Sequence, residues 1–377
     1  MKILFVTTIS DTVNAFLIPH IKWLINHGNE VGVAFNTVQE VNPELVSLGC
    51  KVHPINFQRN PLKKENLAAY KEIKRTMIDE GYSLVHVHTP VASFLTRLAC
   101  RNIDNVQVLY TAHGFHFFKG APKKNWAVYY TLEKVVARWT DGIITMNEED
   151  YHSAKRLKLR TTNAIYKIHG IGLDLNKFRP QTVETKVQLR REYGYGTEEY
   201  ILIYVGELSY RKNQDLLIES VSRIKEDIPQ IKLLLVGDGE RMNEYKEMVS
   251  RLGVEKNVEL LGYRTDVHQL MTISDVAIST SRQEGLPVNV MEAMATGLPL
   301  IVTDCRGNRD LVDSGENGFV VGVNDVNACA NSIVNLYHSI ELRNEFAGKN
   351  REYIQKYSLN QVLNEMKEIY ANQSLKL

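Results

Sequence analysis

The chain has 377 residues, 44% hydrophobic and 24% charged, which leaves room for two domains in an ordinary globular protein. A formal net charge of +1 argues against a protein that coats nucleic acid over its whole surface. Cys50, Cys100, Cys305 and Cys329 are scattered without a C-x-x-C, which excludes a disulfide framework and a zinc site and fits a reducing cytoplasm.

The opening MKILFVTTI is too short for a secretory apolar region and lacks a small-residue cleavage site, so it predicts a buried strand over residues 3–7. No run approaches the length of apolar sequence that crosses a bilayer. Further apolar runs predict strands at 30–35, 84–88, 106–111 and 142–145, then at 200–205, 232–236, 258–261, 276–280 and 300–303. Amphipathic stretches at 15–26, 214–226 and 240–252 predict helices between them. This alternation means βαβ units and parallel sheets, and two series of strands mean two doubly wound α/β domains. The break falls in 173–198, rich in turn and charged residues and without a buried-strand signal. Apolar spacing at Val362, Leu363, Met366 and Ile369 predicts a C-terminal helix. The expected division is 1–178, 179–357 and a closing helix within 358–377 that crosses back to the first domain.

In such folds ligands bind at the carboxyl ends of the strands, and two facing domains are expected to enclose a cleft there. After the strand at 200–205, Gly206 permits a tight exit, and Arg211 and Lys212 precede a helix. Two cations beside helix N–H groups suit an anion, although two solvated basic residues would read the same way. A second helix start, in EGLPVNVMEA, offers the N–H groups of Gly285, Leu286 and Val288, and Pro287 offers none. Glu284 precedes this helix. Glu292 lies inside it among Val288, Val290, Met291, Ala293 and Met294. A carboxylate so flanked is at least half buried and needs donors. Ribose hydroxyls of a nucleotide diphosphate would supply them for Glu292 and sugar hydroxyls for Glu284. For Glu292 an internal Arg or Lys is the alternative partner.

EGLPVNVMEA followed by MATGLPLIVTD resembles the E-x7-E block of the retaining family 4 glycosyltransferases of GT-B fold. VGELSYRKNQDLLI, LLLVGDGE, LLGYRTDVHQLMTISDVAISTSRQEGLP and GENGFVV are similar to the family's other blocks. LVHVHTP, TAHGFHFFKGAPKKNW and HGIGLDLNKF resemble the branch that builds capsule and exopolysaccharide repeat units. The resemblance implies that Lys212, with Arg211, holds the donor diphosphate, that Glu292 binds the ribose, and that Glu284 binds the donor sugar. It implies that His113 lies near the anomeric carbon and that backbone groups of Gly262, Tyr263 and Arg264 meet the nucleobase. His113, Glu284 and Lys212 are thereby the expected catalytic residues. Two departures stand out. Glu207 replaces the family's arginine, which leaves one diphosphate cation missing, with Arg211, next to Lys212, the candidate to replace it. The first loop, TTISDTVNAF, lacks the usual glycine pair, and its Asp11 and Thr12 are expected to face the acceptor.

No D-x-D occurs, so no metal and no cofactor is expected, and the diphosphate charge falls to Arg211, Lys212 and helix dipoles. FFKGAPKKNW, with Phe117, Phe118, Lys119, Lys123, Lys124 and Trp126, and FQRNPLKKENL, with Arg59, Lys63 and Lys64, interleave basic and apolar residues. That suits an anionic membrane or a lipid diphosphate, although an ordinary solvated loop has the same composition. His86 and His88 are both expected to be structural, with His88 nearer the cleft and the alternative reading for it an acceptor contact. The resulting expectation is a cytoplasmic enzyme, peripheral at the inner face of the membrane. It would transfer a sugar from a nucleotide-sugar, a UDP-sugar and within that a UDP-N-acetylhexosamine, to a lipid-linked saccharide, with no nucleic-acid partner. A UDP-sugar 2-epimerase of the same architecture, or an inactive nucleotide-sugar-binding subunit, is the alternative.

Overall fold

The structure, a computed structural model, describes residues 1–161 and 164–374. It divides into two compact units, Met1–Ile171 together with the chain from Asn360, and Gly172–Leu359.

The first unit holds β1 (Lys2–Ile9), β2 (Glu30–Asn36), β3 (Lys51–Pro54), β4 (Leu84–Val87), β5 (Gln107–Ala112), β6 (Gly142–Thr145) and β7 (Ile165–Lys167). Their order is β3-β2-β1-β4-β5-β6-β7, and every pairing is parallel. The central strands β4, β5 and β6 are buried along their whole length, as an apolar run without alternation requires when helices cover both faces. The second unit holds β8 (Tyr200–Val205), β9 (Ile231–Val236), β10 (Val258–Gly262), β11 (Val276–Ser279), β12 (Leu300–Thr303) and β13 (Gly318–Val321). Their order is β10-β9-β8-β11-β12-β13, again parallel. In both sheets the order reverses beside the first strand, β1 or β8, which is where a doubly wound sheet opens a binding crevice.

The division between units falls earlier than the sequence suggests, at Ile171 rather than 178. Leu173 and Phe178 pack into the core of the second unit, and the Leu173 N–H bonds to the Tyr357 carbonyl at 2.9 Å. The stretch expected to be a linker contains the helix Val183–Tyr193, started by a Thr182/Thr185 capping box. Its one buried side chain is Arg190, whose guanidinium bonds to the Ile273 and Thr197 carbonyls and to Asp275. A helix held through a buried arginine shows no apolar stripe. The C-terminal helix, Leu359–Ser374, buries Val362, Leu363, Met366, Ile369 and Tyr370 within the first unit from Asn360 onward. No helix among the described residues is long and apolar enough to cross a membrane.

Candidate active site

In the second unit three loops leave the carboxyl ends of the neighbouring strands β9, β8 and β11. Glycine brings them into close approach. Gly237 sits at φ +144°, and a Cβ there would lie 2.1 Å from the Gly206 carbonyl oxygen. A Cβ on Gly239 would lie 2.3 Å from the Leu208 carbonyl oxygen. Only glycine fits where two backbones touch in this way. The buried Tyr204 hydroxyl then joins the β8 loop to the β11 loop, bonding to the Lys212 carbonyl at 2.7 Å and to Ser281 Oγ at 2.8 Å. Asn213, left-handed at φ +56°, caps the next helix and donates to the Thr280 carbonyl.

Glu284 is the centre of this arrangement and is only 6% exposed. Its Oε1 accepts from Lys212 Nζ at 2.6 Å and from Ser281 Oγ at 2.6 Å, and Arg211 Nη1 stands 3.4 Å from Oε2. Burial would raise its carboxyl, but the Lys212 and Arg211 charges and these bonds outweigh burial and hold it below the ordinary range. Arg306, buried, donates Nε to the Glu284 carbonyl at 2.9 Å. Separate partners were expected for Lys212 and Glu284. Instead they pair with each other, because neither charge tolerates burial alone. Glu207 lies 3.9 Å from Arg211, one helical turn away in sequence, so the departure from the family's arginine partly offsets the charge of Arg211.

Gly285, Leu286 and Val288 lie at the entrance to the helix Val288–Thr296, whose N-cap is Pro287 and whose end is Gly297 in the left-handed region. Glu292 follows one turn later and is half-buried. Among the described residues its carboxylate has no hydrogen-bond or ion-pair partner. Burial raises its carboxyl to about 7, opposed only by the charge of Lys177. The internal Arg or Lys partner that the sequence left open is thus absent. Gly262, at φ +66°, receives the Gly237 N–H on its carbonyl at 2.8 Å. Tyr263 is exposed, and Arg264 is committed to Asp266 through Nε at 2.8 Å.

In the first unit His113 follows β5, half-buried, with Nε2 3.1 Å from His88 Nδ1. Burial lowers it to about 4, helped by neighbouring His20, so it is neutral near pH 7. His88 is buried and stacks on Phe5, and its Nε2 has no partner among the described residues. His86 is satisfied by Tyr370 at 2.8 Å and Thr111 at 2.7 Å. Asp11 and Thr12 lie in the helical turn that follows β1, and the Thr8 N–H of the glycine-free loop bonds to Thr89 Oγ1 at 2.7 Å. Lys119, Lys123 and Lys124 are all exposed.

The sequence reading missed Ser281, Arg306 and the Gly237–Gly239 loop. A glycine pair around Asp238 was visible, but nothing local said which backbone it approaches.

Two doubly wound units, with an anion-ready loop cluster at the switch point of the second, define a nucleotide-dependent enzyme of the GT-B type. Residues 186–353 match the model of glycosyl transferases group 1, and residues 2–147 match that of the glycosyl transferase 4-like family. The chain is 40% identical over 372 residues to the putative glycosyltransferase EpsD of Bacillus subtilis (strain 168), covering 98% of this chain and 96% of the other. It is 32% identical to the UDP-Gal:alpha-D-GlcNAc-diphosphoundecaprenol alpha-1,3-galactosyltransferase of Escherichia coli, over 72% of this chain and 69% of that one. Among solved structures, Anabaena Alr3699/HepE in complex with UDP superposes with a TM-score of 0.81 at 21% identity, covering 99% of this chain and 100% of that one, and so shares the fold. The chain belongs to the family 4 glycosyltransferases and is a glycosyltransferase of GT-B fold.

Proposed function

We propose that the protein transfers a sugar, with retention of configuration, from a UDP-sugar to a lipid-linked saccharide during exopolysaccharide assembly. It would act as a peripheral enzyme at the cytoplasmic face of a membrane. The observation that carries this reading is the contrast between two carboxylates on one loop and helix. Glu284 is clamped by Lys212, Arg211 and Ser281, whereas Glu292 is half-buried without a donor. A ribose diol supplies the donors that Glu292 lacks, and the diphosphate meets Lys212 and Arg211. The relatives support the same chemistry. The E. coli relative is named for a UDP-Gal donor and a diphosphoundecaprenol-linked acceptor, and the HepE structure holds UDP. Family membership favours transfer over the epimerase alternative.

As the glycosidic bond breaks, charge grows on the diphosphate, where Lys212 and Arg211 gain in strength. His113, neutral, acts as a hydrogen-bond partner of the sugar and not as an acid. Front-face attack follows, with the leaving phosphate taking the acceptor's proton. These cations take the place of a metal ion, so turnover is expected to persist in EDTA. Activity that vanishes in EDTA and returns only with Mg²⁺ or Mn²⁺ would contradict this. The reading as a whole is tested by a nucleotide-sugar screen read as thermal shift, followed by assignment of the product's anomeric configuration. Stabilisation by UDP-sugars and an axial-to-axial or equatorial-to-equatorial product are expected. Inversion, or epimerised donor formed without acceptor, would refute the reading.

A further inference from the structure

A cavity in the first unit is not used by any donor-side group. It has a volume of about 540 Å³, within the range that encloses a small organic ligand. Its walls are apolar and aromatic, including Phe94, Leu95, Phe115, Phe117, Tyr129 and Leu132. Its polar boundary includes Thr12, Arg59 and Glu133.

Both lips of this cavity carry the same chemistry on their outer side. One lip is the helical run 123–139, made of Lys123–Asn125, Trp126–Tyr130, Thr131–Val136 and Ala137–Trp139 without a break. Tyr129 and Leu132 from this run line the cavity, while Val128, Leu132 and Val135 are 52%, 42% and 45% exposed. Lys123, Lys124, Lys134 and Arg138 stand exposed around them. The carboxylate of the run, Glu133, is occupied by Arg97 through bonds of 2.9 and 3.0 Å, so it does not offset those cations on the outer face. The other lip is the loop that carries Arg59 and Pro61, and next to them Leu62 is 89% exposed between Arg59 and the exposed Lys63 and Lys64. Arg59 pairs with no carboxylate among the described residues.

Exposed aliphatic side chains ringed by cations are the pattern of a surface that lies in the headgroup layer of an anionic bilayer. An aromatic-walled cavity opening between two such lips, with a free guanidinium at its edge, is complementary to an apolar chain that ends in a diphosphate. We propose that the two lips seat the first unit on an anionic lipid surface, and that the cavity between them takes the leading isoprenoid units of a polyprenyl diphosphate acceptor, whose phosphates meet Arg59. This rests on the lipid-linked acceptor of the proposed function and names the part of that acceptor the enzyme grips and the surface that delivers it.

The test uses the full chain and two probes, neither of which requires turnover. The first is co-sedimentation with vesicles of phosphatidylcholine alone or with 30 mol % phosphatidylglycerol. The wild type is expected to bind the anionic vesicles and to release in high salt. Each cation at such a surface is worth about fivefold in affinity, so Lys123→Glu with Lys124→Glu should weaken binding by about 25-fold or more. Val128→Asp with Val135→Asp, at exposed positions that leave the core untouched, should abolish it. The second probe is farnesyl diphosphate, titrated by calorimetry in the presence of saturating UDP. Binding should survive UDP, fall about tenfold or more in Arg59→Glu, and be unchanged in Val128→Asp with Val135→Asp. The UDP thermal shift monitors the donor side in every variant. If it is absent from the wild type, the proposed function fails while these readouts still stand. Vesicle binding that ignores lipid charge, or that survives both double variants, would overturn the surface. Farnesyl diphosphate that UDP displaces, or that Arg59→Glu binds equally well, would overturn the cavity.

Discussion

Glu292 and Lys212 show opposite solutions to burying a charge, and each solution has a measurable consequence. Among the described residues Glu292 has no partner, and burial raises its carboxyl to about 7. A group whose folded value lies above its unfolded one is held more tightly by the native state, so stability falls as pH rises from about 4.5 to about 7 and is level above that. A ribose diol favours the charged form, so UDP binding should release a proton near pH 7 and tighten as pH rises through 7. In Glu292→Gln both pH dependences should flatten, and Glu292→Ala should cost roughly 1–3 kcal/mol of UDP affinity. Calorimetry in buffers of different ionisation enthalpy reads the proton directly. Equal proton release in wild type and Glu292→Gln would remove Glu292 from the ribose. Lys212 is paired at 2.6 Å with Glu284, so removing it strips a buried carboxylate of its main counter-charge. Lys212→Ala should therefore lower kcat by on the order of 10²-fold or more and also destabilise the loop, a loss that Lys212→Ala with Glu284→Gln should partly restore in stability but not in kcat. Full kcat in Lys212→Ala, even with Arg211→Ala, would place the diphosphate elsewhere.

At the scale of elements, what could be read from the sequence was what local contrast records. The strands β4, β5, β6 and β8, buried along all or nearly all of their length, are mainly apolar runs without alternation and stand out. β3, β7 and β13 do not, because they are short strands at sheet edges with half-exposed residues and no contrast to display. The apolar flanks of Glu292 revealed its burial, but the pairing of Glu284 with a lysine 72 positions away is a property of loop packing and left no local trace. The same holds for the glycines. Gly237 looks like any turn glycine, yet its Cα faces the Gly206 carbonyl with no room for a methyl group. Gly237→Ala must push the β9 loop off the β8 loop, and Lys212 is carried on that β8 loop. We expect UDP affinity to fall at least tenfold in a protein whose circular dichroism is unchanged. Gly194→Ala is the control, since its φ is also positive, at +79°, but with open space around it and no neighbouring donor loop. Equal UDP affinity in Gly237→Ala and wild type would mean that the loop contact does not position Lys212.

At the scale of the molecule, the two units are built differently from the chain. The second is continuous from Gly172 to Leu359, whereas the first is closed by a helix that arrives last. That helix contributes Val362, Leu363, Met366, Ile369 and Tyr370 to the core of the first unit. It also covers the buried His86, whose ring bonds to Tyr370, and its Glu365 bonds to the half-exposed His169. Five buried side chains at about 1.5–3 kcal/mol each amount to roughly the whole stability of a domain. A chain ending at Leu359 should therefore lose the first unit's thermal transition, while the second unit keeps its core and the donor loops. The UDP-induced shift should survive in the remaining transition, and glycosyl transfer should be lost. Acid offers the graded version of the same experiment. His20, His86, His88 and His113 are all held below the ordinary histidine range, chiefly by burial. The unfolded chain takes up protons below about pH 6.5, and folded His113 does so only near 4, so stability is lost as pH falls through that window. Calorimetry between pH 7 and 4.5 should show the first unit's transition moving down well before the second's. Tyr370→Phe, which removes one partner of His86, should lower that transition further by about 1 kcal/mol at neutral pH. A truncated chain that still melts in two steps, or one in which UDP no longer shifts the surviving step, would show that the two units do not separate in this way.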